Sequence, residues 1–197
     1  DGQLDMVSLN NSAKKIIKQI NKEYIISDNI NDLYFKIQET GKFSFQILCD
    51  SFSNFNQTII GFSFCYEKDK ATFVPFSEEI ITILRKLFNN KSIEKIGFDI
   101  KSQIKILNKY NISEIENFFD ISIAHYLLEP DMRHDLETLS ENYLSYPILN
   151  ITEVLGKGKS RNRISDLTID KQSFYCSELT DIQFQLNDIF LKQLHKL

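Results

Sequence analysis

Lys157, Lys159, Arg161 and Arg163 form the one dense basic run of the chain, inside the stretch GKGKSRNR. Closely spaced cations can meet nucleic-acid phosphate or an acidic face of another domain, and the same pattern suits a solvated loop. Arg133, His134 and Asp135 are a second group. They precede a leucine-rich segment, and Asp135 stands where a helix N-cap is expected. His125 and His195 lack the neighbours of a metal site or a catalytic triad, and read as a helix-packing and a solvent-exposed histidine. Cys49, Cys65 and Cys176 are odd in number and far apart, and two fall in apolar strand patterns. They read as reduced, buried thiols of a cytosolic compartment. Formal net charge is −4. A free-standing nucleic-acid binder is usually basic, because phosphate neutralisation drives affinity, so tight DNA binding by this chain alone is disfavoured.

These groups must be positioned by a regular scaffold. The 197 residues suffice for one sizeable domain, and 42% of them are hydrophobic. Only three prolines and six glycines interrupt the chain. The central element is FSFQILCD, Phe43–Asp50, in which Phe43, Phe45, Ile47 and Cys49 alternate with Ser44, Gln46, Leu48 and Asp50. That alternation predicts a strand with Gln46 and Leu48 on one face. Strands are also expected at 24–26, 57–66, 71–76, 93–98 and 117–120. Asp28 or Asn29 is placed to cap a helix carrying Ile30, Leu33, Tyr34 and Ile37 and ending near Gly41, and Ser77 to cap one carrying Ile80, Ile83, Leu84 and Leu87. Further helices are expected at 13–20, 100–110, 121–128, 136–144 and 171–194. In the last of these Tyr175, Leu179, Ile182 and Leu186 make an apolar stripe that would face the sheet near Leu48. The region 147–168 lacks periodicity and reads as a surface loop. Three strands joined by short loops, followed by strand–helix alternation, predict an α/β fold with a mixed sheet and helices on both faces. Residues 1–22 read as an N-terminal arm with a short helix, and 23–197 as one domain. No stretch approaches the ~20 apolar residues of a membrane span. The opening DGQLDMVSLN has no initiator Met and no signal-peptide pattern, as expected for a segment of something longer.

Several stretches in this order resemble the 3′–5′ proofreading exonuclease domain of bacterial DNA polymerase I, a family-A polymerase. They are FSFQILCDSFSNFNQTIIGFSF, IGFDIKSQIKIL, FFDISIAHYLLEPDMRHDLETLSENYL with its Arg-His-Asp, EVLGKGK, and FYCSELTDIQFQL. The resemblance covers roughly residues 24–194. It implies a ribonuclease-H-like fold with a mixed five-stranded sheet. Active members of that family hydrolyse the terminal phosphodiester with two divalent metals, Mg²⁺ or Mn²⁺, held by four carboxylates, and a tyrosine positions the attacking water. Hard cations require such anionic oxygens.

The positions matched to the four carboxylates are Gln46, Leu48, Gln103 and Leu179, and the matched tyrosine is Tyr175. Every carboxylate is missing, so no bound metal and no intact catalytic residue is expected. Nearby acids are poor replacements. Asp50 lies roughly 6–7 Å beyond Leu48 along the strand. Asp99 precedes Gln103 by four residues, while Glu178 and Asp181 project from the last helix at other angles than Leu179. Asp50 and Asp99 read as turn or cap residues. The resemblance also implies phosphate contact for Arg133 and an apolar wedge against the terminal base for Phe52. With Lys157, Lys159, Arg161 and Arg163, these are weak candidates for nucleic-acid binding.

The expected function is a vestigial, catalytically inactive 3′–5′ exonuclease domain, retained as a structural scaffold for replication and repair. Its expected partner is the polymerase domain of the same parent chain, with DNA met through that parent. A monomer in the cytoplasm, away from membranes, is expected. Two alternatives stay open. One is a weak metal-dependent exonuclease using displaced acids. The other is a single-stranded nucleic-acid-binding module using Arg133 and the 157–163 loop.

Overall fold

The computed structural model describes residues 22–50, 58–113, 115–156 and 162–197. The helix expected at 13–20, Phe52, and Lys157, Lys159 and Arg161 lie outside the described residues. In chain order the elements are β1 (Glu23–Ile26), α1 (Ile30–Thr40), β2 (Lys42–Asp50), β3 (Thr58–Glu67), β4 (Lys70–Pro75), α2 (Ile81–Phe88), β5 (Glu94–Gly97), α3 (Ile100–Leu107), β6 (Phe118–Asp120), α4 (Ile121–Leu128), α5 (Leu136–Leu139), α6 (Ile151–Leu155) and α7 (Ile169–Leu194). Asn29 caps α1 through its side chain, and Gly41 closes the helix with φ +70°. Only a residue free of a Cβ takes that conformation without strain.

The strands form one mixed sheet in the order β1-β4-β3-β2-β5-β6. β2, β3 and β4 make the expected antiparallel meander, and β5 and β6 extend β2 in parallel. The sheet has six strands rather than five. The addition is the short segment at residue 24, which pairs in parallel with β4 from Glu23↔Lys70 to Ile26↔Phe73. The meander alone would leave β4 as an open edge, and β1 satisfies its free backbone groups.

The period-2 pattern of β2 separates two environments. Phe43, Phe45 and Ile47 enter a core with Phe62, Phe64 and Phe88, closed by α1, α2 and α3. The rings of Phe45 and Phe88 meet edge to face at 4.8 Å. The other face is covered by α4, α5 and α7 around Ile96, Ile121, Leu139, Ile182, Leu186 and Phe190. Helices therefore lie on both faces, as patterning predicts.

The region read as a loop holds more structure than expected. Asn150 caps the short α6 by accepting from Thr152 N at 2.9 Å, and Ile164–Asp166 form a 3₁₀ turn. Both are too short to leave a periodic signal. Likewise α5 runs on into a single π turn, Ser140–Leu144.

α7 is fixed by two buried acids. Glu178 accepts from Tyr146 OH at 2.5 Å and from Leu149 N at 2.7 Å. Asp181 pairs with Lys22, and accepts from Tyr24 OH at 2.8 Å, Asp69 N at 2.9 Å and Gln185 Nε2 at 2.9 Å. One carboxylate thus ties β1, the β3–β4 turn and α7 together. Removing one partner of a buried ion pair strands the other charge. Asp181→Ala is expected to cost about 3–5 kcal/mol in urea unfolding. A loss within the error of the measurement would show that the network does not hold β1 to the fold.

Candidate functional site

Gln46, Leu48, Gln103, Tyr175 and Leu179 line one open cleft of ≈ 320 Å³, together with Cys49, Asp99 and Ser102. A neighbouring lobe of ≈ 430 Å³ shares Gln46, Tyr175 and Leu179 and adds Asp135, Glu137 and Ile148. The cleft lies where the even-numbered face of β2 meets the start of α3 and the first half of α7. A β-bulge shapes its floor. Leu48 stands opposite Gly61 and Cys49 opposite Ile59, so Ile60 has no partner in β2. A Cβ on Gly61 would come within 2.4 Å of the Phe73 ring and 2.8 Å of Val74 O, so only glycine fits there.

The two glutamine amides of the cleft are spent on the protein itself. Gln103 Oε1 accepts from Ile47 N at 3.0 Å, and its Nε2 donates to Phe98 O at 3.0 Å. β5 ends at Gly97 and pairs β2 only as far as Ser44. The Gln103 amide therefore continues the ladder where the backbone partner stops. Gln46 Oε1 accepts from Gln183 Nε2 at 2.9 Å, and Gln46 Nε2 donates to Ile47 O at 3.3 Å. Leu48 is buried against Phe73 and Cys176. Burial pushes the Tyr175 phenol up to about 12 and the Cys49 thiol up to about 11, so both stay protonated at neutral pH.

The stripe of α7 that meets the sheet differs from the expected one. Cys176, Ser177, Thr180 and Gln183 are fully buried there. Ser44 Oγ donates to Thr180 O at 2.7 Å, and Ser63 Oγ meets Ser177 Oγ at 3.2 Å. Ile182 and Leu186 are buried in the second core, and Leu179 is half-buried beside it. The apolar periodicity of α7 marks its flank rather than its seat on the sheet, which is built of small polar residues. Gln183 was not singled out in the sequence. Its i, i+3 spacing from Thr180 on a run of small residues is the signal that would have found it.

Asp50, Asp120 and Asp135 have other duties near the cleft. Asp50 Oδ2 accepts from Ser165 OH at 2.6 Å. Asp99 occupies the N-cap position of α3 with φ +48° and makes no side-chain cap bond. The cap comes from Asp120, whose Oδ2 accepts from Ile100 N at 2.7 Å while Oδ1 accepts from Ser122 N at 2.9 Å. An Asp ahead of an apolar helical run is the sequence signal for that role. Asp135 caps α5 as expected, accepting from Thr138 N at 2.9 Å. Among the described residues no group of three or more His, Cys, Asp or Glu side chains is placed to hold a metal ion.

Arg133 is exposed on the turn before α5 and is not among the residues lining either lobe. Arg163 begins the 3₁₀ turn whose Ile164 does line the cleft. His125 is buried, and its Nδ1 lies 2.6 Å from His134 Nδ1. Its ring packs on Tyr143 and Phe190. Burial, then the proximity of His134, holds the pKa of His125 below its ordinary value.

The family model described as 3′–5′ exonuclease, of the DNA polymerase A type, matches residues 25–195. The chain belongs to this 3′–5′ exonuclease family. It is 25% identical over 174 residues to DNA polymerase I of Borreliella burgdorferi, covering 84% of the chain and 19% of that protein. It is 20% identical over 177 residues to DNA polymerase I of Pseudomonas aeruginosa, covering 82% and 19%. The chain thus spans about a fifth of the length of these relatives. Among solved structures, Brucella melitensis NrnC superposes with a TM-score of 0.69 at 13% identity, covering 89% of this chain and 83% of NrnC. The catalytic core of Trypanosoma brucei RRP6 gives 0.65 at 14%, covering 87% and 46%. The fold is ribonuclease-H-like.

Two side-chain arrangements in this exonuclease-family domain give direct tests. Gln103→Leu leaves Ile47 N–H and Phe98 C=O unpaired at the cleft wall, and is expected to cost ~1–3 kcal/mol in urea unfolding. An unchanged midpoint would show that the clasp adds nothing. A folded-state histidine pKa below the unfolded value near 6.5 contributes stability above that pH, and loses it as pH falls, because the unfolded chain binds the proton first. The melting temperature is therefore expected to fall between pH 7 and pH 5, and His125→Phe to flatten that slope. An equal slope in the variant would locate the pH dependence elsewhere.

Proposed function

We propose that this chain is a catalytically inert 3′–5′ exonuclease domain of a DNA polymerase I-like protein, kept as a scaffold for a polymerase domain. The supporting observation is the donor set of the cleft. Two divalent cations require several anionic oxygens converging on one pocket. The cleft offers leucines at 48 and 179, and at 46 and 103 amides whose oxygens already accept from Gln183 and Ile47. This set does not fit two Mg²⁺ or Mn²⁺ ions. The other buried acids on its flanks hold helices and loops in place. The carboxylates that line the two lobes, Asp99, Asp135 and Glu137, are exposed and do not gather into a metal-holding group among the described residues, and Asp135 already caps α5. The parent reading rests on relatives that are DNA polymerase I proteins, about five times as long as the matched region. In that setting the chain is a cytoplasmic monomeric unit of a replication and repair enzyme, and meets DNA through its parent.

The deciding experiment is degradation of end-labelled single-stranded DNA and RNA across a titration of Mg²⁺ and Mn²⁺. No metal-dependent shortening is expected. Binding of single-stranded DNA is expected no tighter than the 10⁻⁴–10⁻⁶ M typical of non-specific contacts, and to weaken steeply with salt. The combined variant Gln46→Asp, Leu48→Glu, Gln103→Asp, Leu179→Asp should melt lower without metal, since clustered carboxylates repel, and should recover partly on adding Mn²⁺. Metal-dependent hydrolysis by the unaltered chain would overturn the proposal. Tight, salt-insensitive binding would favour the nucleic-acid-binding module instead.

A further inference from the structure

α4 is apolar on two sides. Its inner side buries Ile121, Ala124 and His125. Its outer side carries Ile123, Tyr126 and Leu127, which are 56%, 55% and 60% exposed. Their i, i+3, i+4 spacing makes them neighbours on one helical face. The chain then turns back, with Met132 N donating to Glu129 O at 3.1 Å and the ring of His134 5.6 Å from that of Tyr126. This adds Met132, 51% exposed, beside the same end of the helix. A helix that is hydrophobic all round is ordinarily buried all round, and a cluster of large exposed side chains marks an interaction surface.

We infer that the outer face of α4 is where the polymerase domain of the parent protein seats. This inference rests on the scaffold reading above and adds the surface that the scaffold uses. Two observations select that occupant. α4 lies along the second half of α7, with the rings of His125 and Phe190 5.5 Å apart, and Leu128 and Leu194 pack on the same core. A chain continuing from α7 would leave the domain close to α4, so contact with its uncovered side costs little loop entropy. The rim also argues against nucleic acid. Glu129 and Asp131 are exposed next to the patch, and Arg133 is the one cation of that turn. Phosphate would meet net negative charge there, whereas an apolar protein surface with a basic margin is complementary.

Hydroxyl-radical footprinting read by mass spectrometry tests the inference, with the 197-residue chain compared with the full-length gene product. Oxidation of Tyr126, Leu127 and Met132 is expected to slow several-fold in the full-length protein, while exposed Phe35 reacts equally in both. Leu127→Asp with Tyr126→Asp should leave the melting of the 197-residue chain unchanged. In the full-length protein it should restore oxidation of Met132 and split one calorimetric transition into two. Equal oxidation in both forms, in a gene product that does carry a polymerase domain, overturns the interface and leaves the scaffold reading standing. Protection in the 197-residue chain that rises with its concentration assigns the face to a second copy, and protection that needs added single-stranded DNA assigns it to nucleic acid. Either result overturns the inference. A gene product without a polymerase domain overturns the scaffold reading itself.

Discussion

The seat of α7 on β2 and β3 is the contact on which the rest of the structure depends. It is a polar contact made dry. Ser44, Ser63, Ser177 and Thr180 are fully buried, and their small side chains let a helix lie close on the sheet. Each hydroxyl must then find a partner within the protein, because an unpaired buried group costs of order 1–3 kcal/mol. Ser44 reaches Thr180 O, Thr180 reaches Cys176 O, and Ser63 meets Ser177. These bonds fix the rotation of α7. That rotation sends Tyr175 and Leu179 to the cleft, Asp181 to β1 and Glu178 to the 146–149 loop. Gln183 Oε1 and both amide atoms of Asn187 are buried without a protein partner among the described residues. Groups of that kind carry the same cost unless internal water meets them.

The alternation of β2 separates the cleft positions from the core positions. Phe43, Phe45 and Ile47 belong to the aromatic core, whereas Gln46 and Leu48 point to the cleft and α7. Substitution on one face leaves the packing of the other untouched, as the two-residue repeat requires. On the cleft face, carboxylates held together without cations would raise each other's pKa values and oppose folding. Leu48 instead makes buried apolar contact with Phe73 and Cys176.

Legibility followed the strength of local patterns. β2, the meander, the 121–128 helix and the caps at Asn29 and Asp135 were readable because alternation, helical spacing and capping chemistry act over a few residues. The membership of β1 was not, since a four-residue strand joins the sheet only through the distant edge of β4. The five cleft positions were found through resemblance, and the structure brings Gln46, Leu48, Gln103, Tyr175 and Leu179 to one pocket. What those residues do there was hidden, because the partners of Gln103 and Gln46 lie 56 and 137 residues away in the chain. The His125–His134 pair escaped for a similar reason, since the turn that joins α4 to α5 decides whether the two rings meet.

The cleft is held open by bonds that involve no cation. Asp120 caps α4 with one oxygen and α3 with the other, so the two helices that start at the ends of β6 and β5 are fixed to each other. Gln103 fastens α3 to β2, and Gln183 fastens α7 to β2 through Gln46. Two helices, α3 and α7, are thus fastened to β2 through neutral side-chain hydrogen bonds, and α4 is fastened to α3. These bonds hold the walls of the cleft in place through contacts within the protein.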